Sequence, residues 1–189
     1  MKHILSFSFF ILFSISLFSQ TYDLTGMQGL RNEKGEVMLE LSGYEISIST
    51  IKGQIDNDKT LNAIKKKYNL ETILAEYSEP GILRANKIME SESKIKDRPK
   101  VKLSQVCYIF EKSDKEVDVV SFNTLNQRDI VLEEEVIRVF LENGLIYYIS
   151  DEQTANSISF AGREINLGSA CNWMSPHNVN CKGGQMSWS

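Results

Sequence analysis

The chain has 189 residues and a formal net charge of −4 at pH 7, with 42% hydrophobic and 24% charged residues. These proportions are typical of a globular protein, and the length is sufficient to bury a substantial core. The mildly acidic balance provides no attraction to phosphate backbones, so nucleic-acid binding is excluded from the expected functions.

The first nineteen residues have the layout of a secretory signal peptide. Lys2 gives a positive start, residues 4–18 are apolar apart from four serines, and small Ser19 precedes polar Gln20. The apolar run is shorter than the roughly twenty residues of a membrane-spanning helix, although an uncleaved anchor is the alternative. The pattern predicts cleavage after Ser19, export to the periplasm or beyond the cell, and no stable membrane span afterwards.

The next segments predict a β-hairpin and a helix. Residues 36–41 and 44–48 alternate apolar and polar side chains on either side of a Ser-Gly turn, which is typical of paired strands. Asn57 or Asp58 can then cap a helix by accepting a hydrogen bond from one of its free amides. Residues 70–77 fit either a continuation of that helix or a strand.

A linker, a second hairpin and a second helix follow. Residues 90–100 are rich in Ser, Lys and Glu and contain a proline, which predicts a solvated loop. Residues 101–110 and 117–122 predict paired strands, and Asp129 caps the clearest helix of the chain. Residues 145–149 predict a further strand.

Residues 158–167 predict a last hairpin that turns near Gly162. Strands that arrive as hairpins favour antiparallel pairing, so we predict an α+β fold, mainly antiparallel sheet with two amphipathic helices. Residues 20–189 then form a single domain, and its sub-halves 20–89 and 101–170 have a similar order of elements. A duplicated ββαβ unit is one topology that fits this order.

The C-terminal segment, residues 171–189, contains the only dense cluster of chemically active side chains and is predicted to be a loop. In an exported protein thiols tend to pair, so Cys171 and Cys181 predict a disulfide that staples it. A Cys₃His metal site with Cys107 and His177 is the alternative, but the spacing lacks the usual paired pattern. We therefore expect no metal and no cofactor.

Catalytic motifs are weak throughout the sequence. Only His177 remains as a histidine after loss of the signal peptide, so any thiol or serine nucleophile would need it as the base. Cys107 lies within a predicted strand, where a buried and inert thiol is expected. The consecutive acids Glu133, Glu134 and Glu135 diverge around a helix and are predicted to face solvent.

These patterns favour an exported, non-enzymatic binding or interaction module. Trp173, His177 and Trp188 are the expected binding residues, because loops on a rigid scaffold commonly hold binding sites. The partner would be a protein or a ligand of the cell envelope. The alternatives are an extracytoplasmic hydrolase that uses His177, and a Cys/His metal-binding protein.

Overall fold

The computed structural model of the chain describes residues 24, 26–32, 34–79, 85–95, 98–151, 154–160 and 162–188. The predicted signal peptide, residues 1–19, lies outside these ranges. Among the residues described, no helix is long and apolar enough to cross a membrane.

Two sheets and two helices make up the described part of the chain. The main-sheet strands and the helices between them are β1 (Gln28–Arg31), β2 (Val37–Leu41), β3 (Tyr44–Lys52), α1 (Asp58–Lys67), β4 (Thr72–Glu79), β5 (Ala85–Ile95), β6 (Arg98–Ser113), β7 (Glu116–Thr124), α2 (Ile130–Leu141) and β8 (Ile149–Ser150). The strands of the small sheet are β9 (Thr154–Phe160), β10 (Arg163–Ser175), β11 (Asn178–Cys181) and β12 (Gly184–Ser187). Strands predominate, so the α+β class and the mainly antiparallel sheet are confirmed.

The main sheet has the strand order β4-β5-β6-β7-β3-β2-β1-β8, and the small sheet has the order β12-β11-β10-β9. Every pair is antiparallel except β1 with β8, which run parallel. The antiparallel pairing of β3 with β7 joins the two halves of the main sheet.

The helices cover opposite faces of the main sheet. Apolar side chains of α1 pack with alternate residues of β6 and β7, including Ile109 and Val119. Those of α2 pack on the other face, with Tyr108 and Phe122. Because a strand directs successive side chains to opposite faces, both faces of the central strands are buried. The two helices lie on opposite faces of the sheet, and the predicted duplication of a ββαβ unit is not confirmed.

Both helices begin as their sequences predict. The side chain of Asn57 accepts a hydrogen bond from the Lys59 N–H at 2.9 Å, and that of Asp129 accepts from the Leu132 N–H at 3.1 Å. After α2 the chain turns at Asn143, whose positive φ of 58° is a left-handed conformation that asparagine tolerates.

Three segments differ from their predictions. The loop predicted at 90–100 is wrong, because its described residues belong to β5 and β6, with Ser91 and Ser93 buried on the face that α1 covers. Serine is small enough to fit there, while the side chains of Glu90 and Glu92 alternate with the serines and point to the other face. The strand predicted at 145–149 is mostly a 3₁₀ helix, Gly144–Tyr148, and only its last residue enters β8.

The predicted C-terminal loop, residues 171–189, is also wrong as a description of the backbone. Most of its described part lies in β10, β11 and β12, which pair as an antiparallel meander with a register shift between Trp173 and Ser175. The segment lacks apolar alternation because the small sheet buries few side chains, chiefly Ala155, Ile158, Cys171 and Val179. Hydrogen bonds between its strands and a disulfide bond therefore stabilise the C-terminal segment, which has only a small core.

Candidate binding site

A disulfide closes the hairpin of β10 and β11. The sulfur atoms of Cys171 and Cys181 lie 2.05 Å apart across a separation of 10 residues, so the predicted pairing is present. Cys171 is 1% exposed and packs with Val179 in the core of the small sheet. The bond therefore constrains the turn between the two strands, which carries Pro176 and His177.

The structure brings the three predicted binding residues together, and we call Trp173, His177 and Trp188 the aromatic cluster. The ring centroids of Trp173 and Trp188 are 5.8 Å apart, and those of His177 and Trp188 are 6.0 Å apart, both near edge-to-face. The backbone N–H of Trp188 donates to the carbonyl of His177 at 3.1 Å. Their role in binding stays a prediction.

A contact between a histidine and a carboxylate attaches the aromatic cluster to the main sheet. His177 contacts the Glu40 carboxylate of β2 through Nδ1, and both side chains are partly buried. A carboxylate at Nδ1 fixes the orientation of the ring, with Nδ1 as the donor. The turn of the small hairpin is thereby held against the end of the β2–β3 hairpin.

Two clefts lie on either side of the aromatic cluster, between the small sheet and the edge of the main sheet. The β1 cleft has a volume of about 300 Å³. Side chains that line it include Gln28, Tyr147, Tyr148, Ser150, Trp173 and Pro176. The β2–β3 cleft has a volume of about 540 Å³. Side chains that line it include Glu40, Ser42, Glu45, Leu125, His177 and Trp188.

Glycine is required where β1 approaches β8. A Cβ atom on Gly29 would lie 2.4 Å from Cδ2 of Leu39 and 3.1 Å from the carbonyl oxygen of Tyr148. Leu39 is 1% exposed and cannot move aside easily. The close approach that shapes the β1 cleft therefore depends on the absence of a side chain at this position.

Large apolar side chains around these clefts are unusually exposed. Tyr147 is 84% exposed on the 3₁₀ helix, and Leu125 is 54% exposed beside the β2–β3 cleft. Exposed aromatic side chains beside a concave surface are common at binding sites. Neither residue was singled out in the sequence, because their neighbours in the fold come from distant parts of the chain.

The alternative metal site is not assembled. Cys171 and Cys181 are bonded to each other, and Cys107 is buried beneath α1. Within the described ranges, no three His, Cys, Asp or Glu side chains are placed so that they could hold a metal ion. Burial also raises the pKa of the Cys107 thiol to about 12, which disfavours its action as a nucleophile.

A buried polar network was missed from the sequence. Glu133 is fully buried, contrary to the predicted solvent-facing position, and its carboxylate accepts hydrogen bonds from the hydroxyls of Tyr44 at 3.0 Å and Tyr108 at 2.8 Å. The guanidinium of Arg128 donates to both carboxylate oxygens, at 2.9 and 2.7 Å, and also contacts Glu90. The network joins the start of α2 to three strands of the main sheet.

A signal for this buried glutamate was present in the sequence. Glu133 precedes Val136 and Ile137 by three and four residues, which is the spacing of one helix face, and both of those residues are fully buried. Burial opposes the charge of Arg128, but its hydrogen bonds and ion pair with Glu133 outweigh that cost and raise the pKa of the guanidinium. We interpret the network as structural, since its carboxylate is enclosed by protein donors.

No protein-family model matches the chain, and no curated protein or solved structure is significantly similar to it.

Proposed function

We propose that the chain is an exported, non-enzymatic binding module, formed as one α+β domain by residues 20–189. Its ligand site comprises the aromatic cluster and the two clefts beside it, and its partner is a protein or a ligand of the cell envelope. The apolar N-terminal pattern and the Cys171–Cys181 disulfide support export to an oxidising compartment.

The observation that carries this proposal is the assembly of Trp173, His177 and Trp188 between two clefts. Tryptophan provides a large, rigid contact surface and is enriched among residues that dominate binding energy. The disulfide and the contact with Glu40 fix these rings before any ligand arrives. A preformed site of this kind loses little conformational freedom on binding.

Co-sedimentation of the purified mature protein with a cell-envelope fraction of the producing organism tests the proposal. We expect the Trp173→Ala variant to bind about tenfold more weakly than the wild type. Met174→Ala is the matched control, because Met174 is the next residue of β10, is 52% exposed and is outside the lining of both clefts. Equal retention of the wild type and Trp173→Ala, or no retention of the wild type, would contradict the proposal.

A hydrolase is the second candidate, and one contact favours it. A carboxylate that orients a histidine is the supporting half of a catalytic triad, and Ser42 lines the same cleft as Glu40 and His177. This mechanism predicts that a panel of aryl esters is hydrolysed and that His177→Ala abolishes the activity. Hydrolysis that His177→Ala leaves unchanged would remove the mechanism.

A further inference from the structure

We propose that the ligand of this site is a neutral glycan chain that lies across both clefts, a proposal that rests on the binding function proposed above.

Neighbouring residues of the aromatic cluster line the two clefts. Trp173 lines the β1 cleft, Trp188 lines the β2–β3 cleft, and the centroids of the two rings are only 5.8 Å apart. Both volumes, about 300 and 540 Å³, lie within the range for small-ligand pockets. An elongated ligand that passes over the two tryptophans would therefore reach both clefts.

The aromatic side chains suit a ligand with polarised C–H groups. The face of an aromatic ring is negative and attracts the positive edge of a partner. The C–H groups on one side of a sugar ring provide such an edge, while its hydroxyls remain available to polar groups around it. Tyr147 and Tyr148, which line the β1 cleft, each add an aromatic face with a hydroxyl at its end.

The charges of the lining residues exclude an anionic ligand. Among the described residues, neither cleft is lined by Lys or Arg, whereas the β2–β3 cleft contains the carboxylates of Glu40 and Glu45. An anionic polysaccharide or a phosphorylated ligand would meet like charge without a compensating cation. A cationic ligand could pair with Glu45 alone, because His177 already contacts Glu40, and such a pair would weaken steeply with salt.

The polar groups also favour hydroxyls over a proline-rich peptide. Carboxylates accept hydrogen bonds but do not donate them, so Glu45 needs a donor from the ligand if binding removes its water. Proline has no backbone N–H and cannot provide one. The hydroxyls of a neutral sugar are both donors and acceptors, so they satisfy Glu45, Gln28 and Ser150 alike.

Affinity electrophoresis of the intact mature protein tests the inference directly. Native gels that contain a neutral glucan, mannan, xylan or galactan are run beside gels without polysaccharide. We expect at least one polysaccharide to slow the wild type and Met174→Ala, and Trp173→Ala to migrate without retardation. Tyr147→Ala provides a second variant, because a side chain that is 84% exposed is replaced without loss of core packing.

A second experiment separates the failure of this inference from the failure of the binding function. Envelope fractions are treated in parallel with periodate, which cleaves sugar diols, and with protease, and retention of the wild type is measured at low and high salt. Loss of retention after periodate only, with little dependence on salt, supports a neutral glycan. Retention that survives periodate and disappears after protease, or that falls steeply with salt, overturns the glycan inference and leaves the binding function intact. No retention on untreated envelopes overturns both.

Discussion

Glu133 is an acidic residue of α2 that lies in the buried core. Its carboxylate is fully buried and depends on Arg128, Tyr44 and Tyr108 for hydrogen bonds. A buried ion pair contributes modestly as a whole, but removal of one partner leaves the other charge without compensation. The stability of α2 on the sheet is therefore sensitive to single changes at this position.

We expect Glu133→Gln to lower the free energy of unfolding by about 3 kcal/mol, because Arg128 would lose its fully buried carboxylate partner and keep only the more exposed Glu90. Urea denaturation measures the change. Glu134→Gln is the matched control on the same helix turn, where the side chain is only partly buried and the expected change is within about 0.5 kcal/mol. Similar losses for the two variants would show that the buried pair has no special role.

The hydroxyl of Tyr44 makes stability sensitive to alkaline pH. Burial and, to a lesser extent, the nearby Glu133 raise the pKa of Tyr44 from 10.0 to about 12, although the hydrogen bond from the Asp129 N–H opposes them. A group whose pKa is raised by folding contributes stability below its unfolded pKa and loses it as the pH rises toward the folded value. The contribution of Tyr44 is therefore complete below pH 10 and disappears between pH 10 and about 12.

We expect the free energy of unfolding to fall between pH 10 and pH 12, and to fall less steeply in Tyr44→Phe, by up to about 2 kcal/mol over that interval. At pH 8 the variant is the less stable protein, because Glu133 and the Asp129 N–H each lose a partner. Urea denaturation at several pH values measures both effects. Parallel pH profiles would contradict the assignment.

At the scale of elements, the sequence patterns predicted correctly the features that depend on residues close together in the chain. The β2–β3 hairpin, both helix starts and the hairpin near Gly162 follow from alternation, caps and turns within a few residues. Residues 90–95 were wrongly predicted to be a loop because their polar composition conceals a strand, in which Ser91 and Ser93 take the buried positions. Pairing with the neighbouring strands β4 and β6 orders this segment, and the apolar alternation that would indicate a strand is missing from it.

The residues of the candidate site were likewise predicted only in part. Its own strands carry Trp173, His177, Trp188 and the disulfide, so a dense stretch of sequence indicated them. The residues opposite them, such as Glu40 and Tyr147, come from elements more than twenty residues earlier, and no spacing in the sequence connects them. Topology alone places them there.

The disulfide is expected to stabilise the small sheet locally. Replacement of Cys171 and Cys181 by alanine should reduce the protection of β10 and β11 amides from hydrogen exchange, by about 3 kcal/mol at most for a ring of this size. Amides of β6 and β7, which lie in the core of the main sheet, should keep their protection. Equal losses in both sheets would show instead that the two unfold as one cooperative unit.

At the scale of the whole molecule, export is the prediction with the clearest measurement. We expect the intact mass of the exported protein to lack residues 1–19, because the pattern places the cut after Ser19. Alkylation of the unfolded protein should add one group without reductant, at Cys107, and three after reduction. A full-length mass would contradict cleavage, and three groups without reductant would contradict the disulfide in the exported protein.

The pairing of β3 with β7 has a consequence for how quickly the protein reaches its native state. Tyr44 pairs with Thr124 and Lys52 with Glu116, so the middle of the main sheet consists of segments far apart in the chain. Such pairings form slowly, because the intervening loop must close before its contacts are gained. The pairing of β3 with β7 cannot form until β7 has left the ribosome. The nascent chain therefore lacks the middle of its main sheet during most of its synthesis. That delay suits the export proposed above, in which a chain crosses a membrane before it folds.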